Sequence, residues 1–504
     1  MTTGVALEAA DQIAARVPDG ATLALTGSGV FLEADEIFAA LERRFLETGA
    51  PRGLTLVHAL GIGDGQGSGI GRFAHEGMTR RVIGGHWSWS PAMQRLAREN
   101  RVAAYSFPAG VISTLLRESG AGRPGLLTRI GLGTFADPRL DGGRINEAAS
   151  ENLVEVVEFD GREWLRYKPL RIDVAIVRGT SIDPKGNVSL AREPCDLDAY
   201  SVALAARNSG GVVLAQVEER LSGRVLPARL ARIPGALIDA AVVAPDARKT
   251  YLPGYDPHVS GEAATDPGAP AALQPEPQGL RRRIAERALA EIPRRDGRPA
   301  SVNFGFGIPG GIPALAQRAG VAYWGTVEQG VHNGAMFDGP MFGAARDADS
   351  ILSSVDQFDF YSGGGIEVAF LGMGEMDGEG NVNVSLMGGT VVGPGGFVDI
   401  TQTARKVVFC GAFEAKGLRV VEDGGRLRIE RPGDVPKLVA RVAHVTFSGP
   451  QALRNGQEVL YVTERAVFRL EPGGVALTEV APGVDVERDV LARMGFAPRV
   501  AIAA

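Results

Sequence analysis

Two related open α/β domains with largely parallel sheets are predicted by three features of the sequence. Short apolar runs alternate with helical patterns along the chain, one strand-and-turn segment recurs at a fixed offset, and a Pro/Ala/Gly-rich stretch divides the chain near its middle. Residues 21–25, 174–177, 212–215 and 407–409 read as buried strands, while 33–46 and 280–292 carry helical periodicity. The recurring segment is VAIVRGTSIDPKGNV at 174–188 and VAFLGMGEMDGEGNV at 368–382, an offset of 194. Both read as strand, loop and D-x-x-G-N turn. A second match sets Gly27-Ser28-Gly29 against Gly305-Phe306-Gly307 at an offset of 278, each closing a strand and opening a helix. The two offsets differ by 84 residues, so the first domain is expected to be enlarged by about that much between its opening glycine turn and its D-x-x-G-N turn. The stretch GEAATDPGAPAALQPEPQG at 261–279 lacks hydrophobic periodicity and reads as a linker. Domains of 1–260 and 280–504 are expected on either side of it. Two such domains packed together offer a cleft, a common place for a small-ligand site.

Composition narrows the partners. The chain has 504 residues, 45% hydrophobic and 22% charged, enough to bury a sizeable core. With 53 Lys+Arg against 59 Asp+Glu the net charge is −6, which gives no overall positive field for a nucleic-acid backbone. Cys195 and Cys410 are the two cysteines, too few for a disulfide framework or a four-thiolate metal site, and a cytoplasmic setting is expected. Glu8 and Asp11 precede Arg16, the first basic residue, and no run approaches 18 uncharged apolar residues. Neither a leader nor a membrane span is expected.

The segment SVNFGFGIPGGIP at 301–313 is a strand running into Gly305-x-Gly307, with Pro309 suited to a first helical turn. Backbone N–H groups at such a turn suit a phosphate, a carboxylate or a developing oxyanion, although many such turns are only turns. A dinucleotide fingerprint would need Gly305, Gly307 and Gly310 with an acid about twenty residues on that ends a second strand. Glu328 falls 23 residues after Gly305, but it lies in the loop TVEQGVHNG between Thr326 and Gly330. Small neighbours there let a substrate approach closely. A carboxylate held out of water is a usable nucleophile toward an activated acyl group, and a solvated loop carboxylate is the plainer alternative.

Taken in order, these motifs resemble family I coenzyme A transferases. The C-terminal half carries GxGIP at 305–309, TVExG at 326–330, FDFYxGGG at 358–365, AFLGxxExDxxGNVNVS at 369–385 and GxGGxxDI at 393–400. The N-terminal half carries RVIGGHW at 81–87, AYxxPxG at 104–110, GRPGLLTRIGLGTFADPRLDGG at 122–143, RIDVAIVRGTSIDxxGN at 171–187 and NSGGVVLAQVE at 208–218. The pattern is similar to the single-chain acetate/3-ketoacid and propionate enzymes with fused α and β halves, and it covers nearly the whole chain.

The resemblance implies that Glu328 is the nucleophile and that coenzyme A passes between an acyl-CoA and a carboxylic acid through glutamyl anhydride and glutamyl-CoA thioester intermediates. It implies oxyanion contacts from backbone at Gly307 and Ile308 and at Gly395 and Gly396, with Gly393, Gly395 and Gly396 in a loop against coenzyme A. No permanently bound cofactor or metal is implied; coenzyme A is a substrate, and a homo-oligomer is the family habit. His86 and His332 read as structural or loop-lining. The sequence departs from the family in two places. Ala109 replaces an amide side chain associated with the substrate carboxylate, and His332-Asn333 occupy a loop where relatives carry small residues, so Ala109, His332 and Asn333 are expected at the substrate pocket. An acyl-CoA hydrolase, with His332 positioning water, and a non-catalytic acyl-CoA-binding paralogue are the competing readings; the intact TVEQG segment argues against the second.

Overall fold

In a computed structural model, residues 5–263 and 275–502 are described. The central part of the expected linker, 264–274, lies outside them. Each half of the chain builds one ten-stranded sheet. In the N-terminal half the strands lie in the order Ala6–Leu7, Ala240–Val243, Val212–Arg220, Val174–Ile182, Thr22–Leu25, Leu54–His58, Thr79–Gly84 and Ala103–Ser106, all parallel, with two short antiparallel strands beside them. In the C-terminal half the parallel centre runs Tyr323–Thr326, Ala300–Phe304, Val368–Gly372, Lys406–Cys410 and Glu458–Val462, with antiparallel strands at both flanks.

The duplication is visible in that order. Val174 and Val368 open the central strands, and each strand is flanked by the same succession of neighbours. The D-x-x-G-N turns close identically. Asp183 accepts from the backbone N–H groups of Lys185 and Asn187, and Asp377 from those of Glu379 and Asn381. The enlargement of the first half falls where expected, as the strands Thr79–Gly84 and Ala103–Ser106 and a separate three-stranded sheet of Leu126–Thr128, Arg162–Tyr167 and Val154–Phe159.

Parallel strands covered on both faces read as continuous apolar runs, and Val174–Ile182 is buried at every position. Because side chains alternate, Val174 and Ile176 enter one core with the helix Asp35–Thr48, while Ala175 and Val177 enter another with the helices Ala109–Gly120 and Ala199–Asn208. That second core continues into the C-terminal half, through Phe358, Val398, Ala369 and Val407. The helices Ser354–Ser362 and Phe397–Thr403 therefore share one layer with Ala109–Gly120, between the two sheets. A helix in such a place must be apolar all round: every residue from Ala109 to Leu116 is buried.

The C-terminal half also holds a buried charge network. Arg465 is fully buried, with Nε 2.6 Å from Glu464 Oε1, Nη2 3.3 Å from Glu414 Oε2 and its guanidinium over the ring of Phe413. Removing one partner of such a group leaves a charge unanswered in low dielectric. Replacing Arg465 with Met is expected to cost about 3–5 kcal/mol, seen as a lower Tm with the fold retained; a variant that melts with the wild-type protein would show that the network is energetically idle.

Candidate active site

In open α/β sheets, ligands bind outside the carboxyl ends of the strands where the strand order reverses. The C-terminal sheet reverses between Ala300–Phe304 and Val368–Gly372, and the loops at this edge meet the equivalent edge of the N-terminal sheet. Gln329 Nε2 donates to Ser28 Oγ at 3.3 Å, and Gly343 packs so closely on the Gln329 side chain that a Cβ there would lie 2.3 Å from its Cδ.

Glu328 follows the strand Tyr323–Thr326 in a tight turn. Val327 N–H donates to the Val331 carbonyl and Gly330 N–H to the Val327 carbonyl; Gly330 has φ +95°, and a Cβ there would strike the Leu352 carbonyl at 2.1 Å. Beneath the turn, Asn303 Nδ2 donates to the Thr326 carbonyl and to Tyr361 Oη, and Tyr361 Oη donates to Thr326 Oγ1. These bonds fix the strand end from which Glu328 projects.

The Glu328 side chain is aimed at the loop 393–396. Gly396 N–H donates to Glu328 Oε2 at 2.7 Å. A Cβ on Gly396 would lie 2.0 Å from that oxygen, and one on Gly395 would lie 3.6 Å from Oε1, so residue 396 must lack a side chain for this approach. Desolvation pushes the Glu328 carboxyl up to about 7, against the opposing pull of the Gly396 N–H. The group is thus poised between its two protonation states near neutrality.

The glycine loop is held in turn by the other half of the chain. Gly395 N–H donates to the Gly85 carbonyl and Ala109 N–H donates to the Gly395 carbonyl, both at 2.8 Å. A Cβ on Gly393 would lie 2.5 Å from the Gly85 carbonyl oxygen. Asp399, in the first turn of Phe397–Thr403, accepts from Gly110 N–H at 3.1 Å. Burial pushes its carboxyl well above the usual range, the Gly110 bond opposes this, and nearby Glu328 raises it further.

Of the residues singled out in the sequence, the structure brings together Glu328, Gly395 and Gly396, with Gly393 and Ala109 behind them. Ala109 is fully buried, and its N–H is committed to the glycine loop. Gly307 and Ile308 sit at the end of the adjacent strand and are partly exposed, without a hydrogen bond to Glu328 among the described residues. His332 is buried, accepting from Trp324 Nε1 on Nδ1 at 2.9 Å and donating from Nε2 to Gln357 Oε1 at 2.6 Å. Asn333 is a turn residue at φ +54°; its side chain accepts from Gly325 N–H and donates to Asp349. His86 touches the back of the glycine loop, and desolvation lowers its pKa to about 4. Asp399, Tyr361 and Asn303 were not singled out; the sequence signal for Asp399 is its place in the segment GxGGxxDI.

The N-terminal half carries the matching turn without the acid. Leu23 pairs with Val174 as Val302 pairs with Val368, and Leu56 pairs with Leu23 as Gly325 pairs with Val302, which sets Ala59 at the position of Glu328. Ala59 is buried.

The Coenzyme A transferase family profile matches residues 7–244. Acetate CoA-transferase YdiF of Escherichia coli K12 is 40% identical over 96% of this chain and 90% of its own length. Caffeate CoA-transferase of Acetobacterium woodii is 40% identical over 97% of this chain and 94% of its own. The crystal structure of the YdiF apoenzyme from Escherichia coli O157:H7 matches with a TM-score of 0.93 at 38% identity, covering 100% of this chain and 96% of that one. A YdiF thioester complex with CoA matches at a TM-score of 0.91. A duplicated α/β chain in which a desolvated glutamate at the carboxyl edge of one sheet meets a glycine loop from the same half, backed by the other half, thus belongs to the coenzyme A transferase family as a single-chain member with fused α and β halves.

Proposed function

We propose that this enzyme moves coenzyme A between an acyl-CoA and a carboxylic acid with Glu328 as its covalent carrier, within domains 1–260 and 280–504 joined by 261–279. The observation that carries the reading is the desolvated Glu328 carboxyl answered by a single backbone N–H at 2.7 Å, at the meeting of the two sheets' carboxyl edges. A Glu328 oxygen attacks the thioester carbonyl carbon, the C–S bond breaks, and coenzyme A leaves as the thiolate. The product is an acyl-glutamyl anhydride. The thiolate then attacks the Glu328 carbonyl carbon and expels the first carboxylate, leaving a Glu328–CoA thioester. A second carboxylic acid enters and the same two steps run in reverse. Thioester energy is kept throughout because every bond broken is replaced by another activated acyl bond.

In this scheme Gly396 N–H, and the amides at Gly307 and Ile308, receive the oxyanions, while the loop of Gly393, Gly395 and Gly396 lies along coenzyme A. His332 has both ring nitrogens engaged within the protein, which weighs against its positioning water as the hydrolase reading has it. The relatives at 40% identity act on acetate and on caffeate, so the acceptor is sought among small and aryl-substituted monocarboxylic acids.

Incubation with acetyl-CoA or a longer acyl-CoA, borohydride reduction and peptide mapping is expected to place a CoA-derived adduct on Glu328. Glu328→Ala is expected to fold and to lose transfer entirely; full activity in that variant would eliminate the covalent route, and steady release of free coenzyme A without an adduct would favour hydrolysis. Because the attacking form is the carboxylate and burial raises its pKa to about 7, kcat/KM is expected to climb about tenfold per pH unit below 7 and level off above it. The same shift bears on stability. A carboxyl raised in the folded state binds a proton that the unfolded chain has released, so its contribution is full below the unfolded value near 4.5 and is lost as pH rises through about 7. Glu328→Gln is therefore expected to melt higher than wild type at pH 8, with the gap closing by pH 5; equal Tm values at both pH values would show that the carboxyl is not desolvated.

A further inference from the structure

Helix Ala109–Gly120 begins in the interior, so its first N–H groups cannot be met by water. None of them is capped by a side chain of its own half. The Ala109 N–H goes to the Gly395 carbonyl, and the Gly110 N–H goes to Asp399 Oδ2. The C-terminal half thus caps a helix of the N-terminal half, and both capping groups belong to the segment 395–399 that also presents the Gly396 N–H to Glu328.

The fit is specific. Gly110 is required because a Cβ there would lie 2.5 Å from Asp399 Oδ1 and 2.6 Å from the Phe358 ring. The Gly396 N–H shares its peptide with the Gly395 carbonyl that accepts from Ala109 N–H, and the next peptide is held by Ile400 N–H, which donates to the Gly396 carbonyl from the helical turn that carries Asp399. Asp399 is 1% exposed. A backbone donor acts on a developing oxyanion only if it is already aimed before the charge appears, and a glycine-rich loop has little stiffness of its own.

We infer that Asp399 is a positioning residue for transfer: by capping the helix Ala109–Gly120 across the two halves it fixes the direction of the Gly396 N–H at Glu328. The inference rests on Glu328 as the covalent carrier. In this role Asp399, buried and bonded to Gly110 N–H, acts through the Gly396 peptide and not on the reacting atoms. Burial raises its carboxyl, the Gly110 N–H opposes the rise and nearby Glu328 adds to it, as its enclosed place behind the glycine loop requires. Asparagine preserves the acceptor oxygen and the shape; alanine preserves neither.

Full-length Asp399→Asn and Asp399→Ala are compared with wild type for kcat, KM for acyl-CoA and the rate of forming the borohydride-reducible adduct. The asparagine variant is expected to keep kcat within about tenfold of wild type. The alanine variant is expected to lose about 100-fold in kcat and in adduct formation alike, with KM changed less than threefold. A folded alanine variant with kcat within tenfold of wild type, a loss confined to KM, or an asparagine variant as impaired as alanine overturns the inference. If the alanine protein does not fold, Asp399→Asn decides alone: kcat within tenfold supports the capping role and a larger loss overturns it. Labelling of wild type at a carboxyl other than Glu328 would retire the carrier assignment while leaving the kcat comparison at Asp399 intact.

Discussion

Holding a carboxylate partly out of water and answering it with a backbone N–H sets the terms for the rest of this molecule. An ionised acid loses hydration when it is buried, and a low-dielectric wall magnifies every charge and dipole near it. The Gly396 N–H returns part of that loss to Glu328 at 2.7 Å, and it can do so only because residues 395 and 396 bring no side chains into the gap. The tight turn at Gly330 and the hydrogen bonds among Asn303, Thr326 and Tyr361 serve the same end from the other side, by leaving Glu328 few directions to point.

The two halves of the chain contribute unequally to that arrangement. The C-terminal half supplies both Glu328 and the loop that faces it, and the N-terminal half supplies the surface on which the loop is stretched. Gly85 and the opening of Ala109–Gly120 bind the loop from behind. Since that helix lies within a layer shared by both sheets, the packing that excludes water from the core also fixes the geometry of the site. The position of Ala109 illustrates this coupling: it is buried, and its N–H is tied to the Gly395 carbonyl in the glycine loop.

Much of the fold was legible because burial on both faces leaves a plain mark in a sequence. The apolar runs at 174–177, 212–215 and 407–409 lie within the strands Val174–Ile182, Val212–Arg220 and Lys406–Cys410, and the duplicated D-x-x-G-N turns relate the two halves. Helix boundaries were less legible. The helix read at 33–46 begins at Asp35, where Gln216, far away in the chain, accepts from the N–H of Glu36, and the helix read at 280–292 spans Gly279–Leu289. At the site, Glu328 and the glycines could be found because their motifs are local and ordered. Asp399 could not be assigned a task, because its partner lies 289 residues away and only the folded chain brings them together. His332 reads from its neighbours as a pocket residue, yet Trp324 and Gln357 take both its nitrogens, a fact that pairing across a sheet edge creates and spacing does not encode.

The duplicated turn in the N-terminal half carries Ala59 where its counterpart carries Glu328. An ancestral pair of identical halves would face two acids across one interface, each raising the other's pKa and each needing its own loop of donors. Substituting an apolar residue at one of them breaks the symmetry and converts a competing site into wall. The present chain is therefore one-handed: the acid and its loop of donors stand on one half, and the other half meets them with an apolar wall and with the backbone of Gly85 and Ala109.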